Sequence, residues 1–146
     1  MSKEKQFIFC HNQHLTGLDL SDNCIEVTCT KNFLTRLKIP VNCEIVKCEN
    51  NLIEHIDMTV AHKCVRLYCN DNRLKSLEIS DSVESLHCNR NRLTELILKE
   101  NVQNIHCYNN FLIELKLPKR CLFVYCDLIA EINYNDCKNL NLTISI

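Results

Sequence analysis

The chain has 146 residues, enough for one domain of ordinary size or a short repeat array, and its 17 lysines and arginines stand against 18 acidic residues. That balance gives no long-range attraction to nucleic acid or to an anionic membrane, so neither is expected as a partner. Met1-Ser2-Lys3-Glu4-Lys5-Gln6 is charged and leads only into the short Phe7-Ile8-Phe9. It contains neither a secretory apolar region nor a spanning segment, and a soluble, cytoplasmic protein is expected.

A cysteine marks the period of the chain. It falls at Cys10, Cys29, Cys48, Cys69, Cys88, Cys107 and Cys126, in steps of 19, 19, 21, 19, 19 and 19 residues. A period near twenty that runs through nearly the whole chain implies a solenoid, whose units stack to bury apolar faces none could bury alone. Counting from each cysteine, the first unit carries Leu15, Leu18 and Leu20, and the second carries Leu34, Leu37 and Ile39. Then come Ile53, Ile56 and Met58; Leu74, Leu77 and Ile79; Leu93, Leu96 and Leu98; and Leu112, Leu115 and Leu117. Two residues before the cysteines stand Ile8, Val27, Val46, Leu67, Leu86, Ile105 and Val124. Alternation such as Leu67 and Cys69 against Arg66, Tyr68 and Asn70 has the period of a strand, so each unit is expected to supply one strand. Stacked units place these strands in parallel about 4.8 Å apart.

Gly17 is the only glycine and Pro40 and Pro118 the only prolines. The turns therefore fall to other residues, above all to the 18 asparagines, whose side chains bond nearby backbone and tolerate a left-handed conformation. Asn32, Asn51, Asn72, Asn91 and Asn110 recur three residues after the cysteine in five successive units, while Gln13 and Ile129 replace them in the first and last. The two extra residues between Cys48 and Cys69 are expected to bulge around Thr59-Val60-Ala61-His62-Lys63. After Cys126 the register fails, with Glu131 where a leucine belongs. Leu140 through Ile146 alternates cleanly and is expected to end the solenoid as a strand or to pair with a partner.

This pattern resembles the leucine-rich repeats, L-x-x-L-x-L-x-x-N/C-x-L, with Cys64-Val65-Arg66-Leu67-Tyr68-Cys69-Asn70-Asp71-Asn72-Arg73-Leu74 as a fitting unit. The short, cysteine-bearing repeats are similar to those of bacterial effectors and of giant DNA viruses of amoebae. The resemblance implies a solenoid of the α/β superhelix class with about seven repeats, a curved parallel sheet on the concave face, and turns or extended segments on the convex face. It also implies that the repeated asparagines bond backbone of their own and the adjacent repeat, as a ladder. Residues 1–146 are expected to form a single domain, with 129–146 a divergent C-terminal cap. Phe7-Ile8-Phe9 should make a first strand whose edge invites pairing unless the six preceding residues cover it.

Seven of the twelve cysteines occupy the marker position, and Cys24, Cys43, Cys64 and Cys121 occupy the position five before it, exchanging there with Val83 and Val102. Both positions point inward, and exchange with valine is the behaviour of a small hydrophobe, not of a ligand. No C-x-x-C spacing occurs, and strands about 4.8 Å apart hold Cβ atoms wider than the ~3.8 Å of a disulfide. No metal or other cofactor is expected. Cys137 lies outside the frame and is expected to be the exposed or reactive thiol.

Function should then reside on the outward strand positions. Tyr68, His87, His106, Tyr108, Phe123 and Tyr125 form an aromatic and imidazole surface toward the carboxyl half, with Arg66 at its border, and these residue types dominate binding hot spots. Outward positions also favour aromatics simply as strand formers, but core packing does not explain them. His87 and His106 are too few to hold a metal alone, and protonation near pH 6 is expected to set like charges side by side. Phe7 and Phe9 make a separate patch suited to edge contact or self-association. No nucleophile with an oriented base, paired carboxylates or glycine-rich phosphate loop is present, so an enzyme is not expected. Lys31, Lys47, Arg66 and Arg90 are offset by Glu26, Glu49, Asp71 and Asp127, which also argues against nucleic acid. The expectation is a non-catalytic module that binds a protein partner, a host protein if the source is viral.

Overall fold

The structure is a computed structural model and describes residues 4–129, 131–134 and 136–145. Among the described residues twelve strands occur in chain order: β1 (Gln6–Phe9), β2 (Cys24–Thr28), β3 (Arg36–Lys38), β4 (Ile45–Lys47), β5 (His55–Asp57), β6 (Arg66–Tyr68), β7 (Ser85–His87), β8 (Asn104–His106), β9 (Glu114–Lys116), β10 (Phe123–Asp127), β11 (Glu131–Asn133) and β12 (Asn141–Ser145). Eight of them form one sheet in the order β1-β2-β4-β6-β7-β8-β10-β12, every neighbour parallel. From β2 onward the register is unbroken, so that Val27, Val46, Leu67, Leu86, Ile105, Val124 and Leu142 share one inward column.

The central strands need only three residues because alternation does the sorting: Arg66 is exposed, Leu67 buried and Tyr68 half-buried. Behind the sheet, Leu34, Ile53, Leu74 and Leu93 reach the interior from the return legs and are fully buried. Each such side chain stabilises the stack by roughly 1.5–3 kcal/mol relative to exposure. The return leg is extended, and among the described residues it contains no helix. β3 pairs with β5 and β9 with β11, and a single bridge joins Glu78 to Ile97. A path of nineteen residues, minus a strand and two turns, leaves no length for a packed helix, so the α/β label gives way to an all-β return on the convex side.

Two turns make each coil. At the strand's end, the residue two after the marker cysteine takes a left-handed conformation: Asn12, Lys31, Asn50, Asp71, Arg90 and Asn109 all have φ between 53° and 56°. Four of the six are Asn or Asp, the types that tolerate this region best without glycine. At the far end a β-turn closes with an N–H from Cys24, Cys43, Cys64, Val83, Val102 or Cys121 to a carbonyl three residues earlier, each between 2.9 and 3.2 Å. The two-residue insertion adds a further turn, with Ala61 N–H donating to Met58 before Cys64 N–H donates to Ala61. Ala61 is buried and Val60 is pushed outward, as the sequence suggests.

The asparagine ladder joins these coils. Each Nδ2 donates to the marker-cysteine carbonyls of its own and the preceding repeat, while Oδ1 accepts the N–H five after the preceding marker. For Asn72 these are Cys69 at 3.1 Å, Cys48 at 3.0 Å and Ile53 at 2.9 Å. Asn32, Asn51, Asn91 and Asn110 repeat the arrangement. At the last rung the Asn110 backbone N–H donates to the Asp127 carboxylate at 3.2 Å, and Ile129 has no oxygen with which to continue the series.

At the carboxyl end the strand expected from the alternating tail forms as β12. β12 pairs with β10 over five residues in register, bringing Ile144 opposite Cys126, so this segment is an eighth rung of the main sheet. Ile132 takes the place opposite Leu115 only six residues after Cys126, two earlier than in other units. The register that fails in sequence is thus restored in space by a shorter return leg. Cys137 is corrected likewise: its N–H closes a turn on Tyr134, its Sγ donates to the Pro118 carbonyl at 3.3 Å, and it packs half-buried on the core. Burial, then Asp136, raises its pKa, the opposite of an activated thiol. The other eleven cysteines are buried and all twelve are free. Burial pushes the Cys29, Cys64, Cys88 and Cys121 thiols up to about 12. Of the segment ahead of β1, residues 1–3 lie outside the described residues; Glu4 offers its carbonyl to Asn23 Nδ2 at 2.6 Å.

Replacing Asn72 by Ala orphans the Ile53 N–H and removes the donor to two buried carbonyls, and is expected to lower the unfolding free energy by about 3 kcal/mol. Gln13→Ala, which removes an exposed side chain that makes no ladder bond and keeps the backbone N–H donated to Asn32, should stay within about 0.5 kcal/mol of the native protein. Urea unfolding followed by far-ultraviolet circular dichroism measures both, and equal effects would mean that the ladder is not a principal support.

Candidate functional site

Parallel, in-register stacking turns single outward residues into columns. Because Thr28, Lys47, Tyr68, His87, His106, Tyr125 and Thr143 are register partners in succession, four aromatic or imidazole rings stand on consecutive strands. The rings meet as the strand spacing dictates. Tyr68 approaches His87 edge-on at 4.7 Å between centroids, and His87 and His106 stack at 4.0 Å with 8° between planes. His106 meets Tyr125 edge-on at 5.9 Å, and Tyr125 in turn packs against Tyr108 at 4.5 Å. Pairs of this kind contribute about 0.5–1.5 kcal/mol beyond area burial when aromatic, so the row fixes its own side chains before any partner arrives.

The expected site residues therefore divide. Tyr68, His87, His106, Tyr108 and Tyr125 are brought into one continuous row. Arg66 lies two residues before Tyr68 on β6 and is exposed, and Phe123 lies two before Tyr125 and is also exposed. Phe7 and Phe9 are 56% and 66% exposed on β1, separated from the row by β2 and β4, which carry Thr28 and Lys47 at the corresponding column.

Three further residues join the site without having been singled out as contacts. Arg90 places its guanidinium 5.8 Å from the Tyr108 ring centre and pairs with Asp71 at 3.6 Å. Both occupy the left-handed turn position, which aims them along the rim, and their side-by-side placement was legible only from the repeat frame. Glu49 is the third: one carboxylate oxygen, Oε2, is buried with no hydrogen-bond partner among the described residues, and burial raises its pKa. The neighbouring Lys47 is engaged with Glu26 at 2.9 Å.

Burial, and then the His106 imidazole beside it, pulls the His87 pKa down to about 4; burial alone lowers that of His106. This corrects the expected charging near pH 6. The stack is too dry and too close for imidazolium, so His87 stays neutral at pH 5.5. Among the described residues no group of three or more His, Cys, Asp or Glu side chains comes together to hold a metal ion.

A cavity lies elsewhere, on the return-leg side where the insertion separates β5 from the next return leg. It measures about 520 Å³ and includes His55, Asp57, His62, Glu78 and Asp81 in its walls. Two of its carboxylates are engaged locally: Asp57 accepts from the Thr59 N–H and hydroxyl, and Asp81 pairs with Lys99 at 3.8 Å.

No protein-family model and no curated protein matches the chain. A solved structure does, described as the "Novel Molecular Architecture of YopM-a Leucine-rich Effector Protein from Yersinia pestis". The two are similar with a TM-score of 0.71 at 21% identity, over 86% of this chain and 41% of that one. The chain thus has the leucine-rich-repeat fold and spans about two fifths of the length of the YopM chain. The likeness concerns the fold and carries no sign of a viral source. No described helix is long and apolar enough to cross a membrane.

Between about pH 6.5, where an unfolded histidine titrates, and about pH 4, where His87 does, the unfolded chain binds a proton that the folded one refuses. Stability from this residue is therefore unaffected above that window and is lost as pH falls through it. The stability advantage of the native protein over His87→Asn is expected to shrink from pH 7 to pH 4.5. An advantage that holds constant across that range would show that His87 titrates ordinarily.

Proposed function

We propose that the chain is a non-catalytic protein-binding module that receives its partner on the concave face. The observation that carries this reading is the continuous row from Tyr68 to Tyr108: five rings pre-packed against one another on the solvent side of the sheet, where core formation does not require them. Rigid rings cost little conformational entropy to immobilise and bury much area, which suits them to be the centre of an interface. Arg66 and Phe123 border the row and extend the contact. Among the described residues the face shows no nucleophile with an oriented base, and no carboxylate holds either ring of the stacked histidines, so binding suits the face better than catalysis.

A second reading, self-association, is favoured by the exposure of Phe7 and Phe9, which together present an apolar patch apart from the row. A Phe7→Ser, Phe9→Ser variant that sediments as a monomer under conditions where the native chain associates would support it. A native chain that stays monomeric at every concentration would remove it.

Affinity capture followed by mass spectrometry tests the principal reading. A Tyr68→Ala, His106→Ala, Tyr125→Ala variant, checked for native folding by circular dichroism, is expected to lose at least about tenfold in recovery of a protein that the native chain retains. Equal recovery by both would move the contact away from the concave face.

A further inference from the structure

On the footing that the concave face is the binding surface, we propose that it selects an acidic, extended segment of its partner, with a carboxylate seated on Arg66. The inference comes from which charges on this face are already engaged and which are not. Across β6, β7, β8 and β10, the two central outward columns hold eight residues, and none is a carboxylate. One is a cation, Arg66, exposed and in no ion pair among the described residues.

Six of the remaining seven carry hydrogen-bond donors: the Tyr68 and Tyr125 hydroxyls, the Ser85 hydroxyl, the Asn104 amide, and one N–H on each neutral imidazole of His87 and His106. The rings are spent on one another through their faces and edges, but none of these six side chains donates to another described residue. The donors therefore remain for a ligand.

Of the acidic residues around the window, all but the exposed Glu44 and Glu84 are engaged or part-buried. Glu26 is engaged by Lys47, Asp71 by Arg90 and Asp127 by the Asn110 N–H. Glu49 holds one oxygen buried. Glu44 and Glu84 stand outside the two columns, one residue before β4 and β7, and neither bridges Arg66. A lysine or arginine laid along the two columns would meet Arg66 and find no carboxylate within them, whereas an aspartate or glutamate meets a guanidinium able to bind it bidentately. Like-charge repulsion of this kind is how a surface rejects the wrong partner.

The geometry also sets a spacing. Arg66 and Phe123 share one column three strands apart, about 14 Å at the ordinary strand separation. An extended segment covers that distance in about four residues. The segment that fits has a carboxylate and, about four residues away, an apolar side chain over Phe123.

Three capped, fluorescein-labelled nonapeptides test this by fluorescence anisotropy in about 50 mM salt. They share a threonine and tyrosine scaffold with phenylalanine four residues after a variable position, which holds glutamate, glutamine or lysine. The glutamate peptide is expected to bind the native chain about tenfold more tightly than the glutamine peptide, and the lysine peptide more weakly than either. Arg66→Gln, an exposed substitution, should make the glutamate and glutamine peptides equal, and added salt should do so progressively. Equal binding of all three peptides, lost in the Tyr68→Ala, His106→Ala, Tyr125→Ala variant, would overturn the acidic preference while leaving the concave face as the binding surface. Preference for lysine, or no binding by any peptide up to about 1 mM, would also overturn it, and partner capture then decides the concave face separately.

Discussion

Everything in this molecule depends on keeping parallel coils in register, and the interaction that does so is the buried carboxamide of one asparagine per coil. A parallel sheet fixes the distance between neighbours but not which residue faces which. Each asparagine removes that freedom, because its Nδ2 must find two marker-cysteine carbonyls and its Oδ1 an N–H from the preceding coil. A slip of one residue would leave donor and acceptor unpaired in an apolar interior, at roughly 1–3 kcal/mol for each group. The ladder runs for five coils and ends where Ile129 supplies no acceptor, and there the return leg also changes length.

The cysteines follow from the same narrow interior. A coil of nineteen residues encloses little volume, so the positions flanking the ladder admit only small apolar side chains. Cysteine fits them and adds a weak donor: Cys24, Cys43 and Cys64 each turn Sγ toward the carbonyl two residues on, at 3.4, 3.4 and 3.6 Å. Val83 and Val102 serve in the same place without that bond, which marks it as an accessory to burial. Metal chemistry would need thiolates, and burial drives these thiols the other way.

With the inward residues committed to stacking, the outward ones are free to vary, and that freedom is where the molecule becomes individual. The first half of the face is occupied by Thr28 and the Glu26–Lys47 pair, the second by rings. The change falls at β6, where Arg66 and Tyr68 enter together. Beyond that point the two central columns hold no carboxylate, and Asp71 and Asp127 at the strand ends are engaged locally. The dryness that keeps His87 neutral has its origin in the strand spacing that presses the rings together.

The period of the cysteines, the alternation around them and the recurrence of asparagine determined the solenoid, its eleven inward thiols and the membership of the aromatic row, because a strict repeat makes position in sequence equivalent to position in space. That equivalence fails where the repeat fails. Nothing in Glu131-Ile132-Asn133 or in Cys137 announces a place in the stack; only pairing with β9, and of β12 with β10, puts them in line, since a shortened return leg can be recognised only against the coil it lies on. The turn residues Arg90 and Asp71 could likewise be counted but not aimed until the left-handed backbone fixed their direction. Tertiary structure alone decided the protonation of the histidines, because desolvation and a 4.0 Å stack are properties of packing that no residue carries by itself.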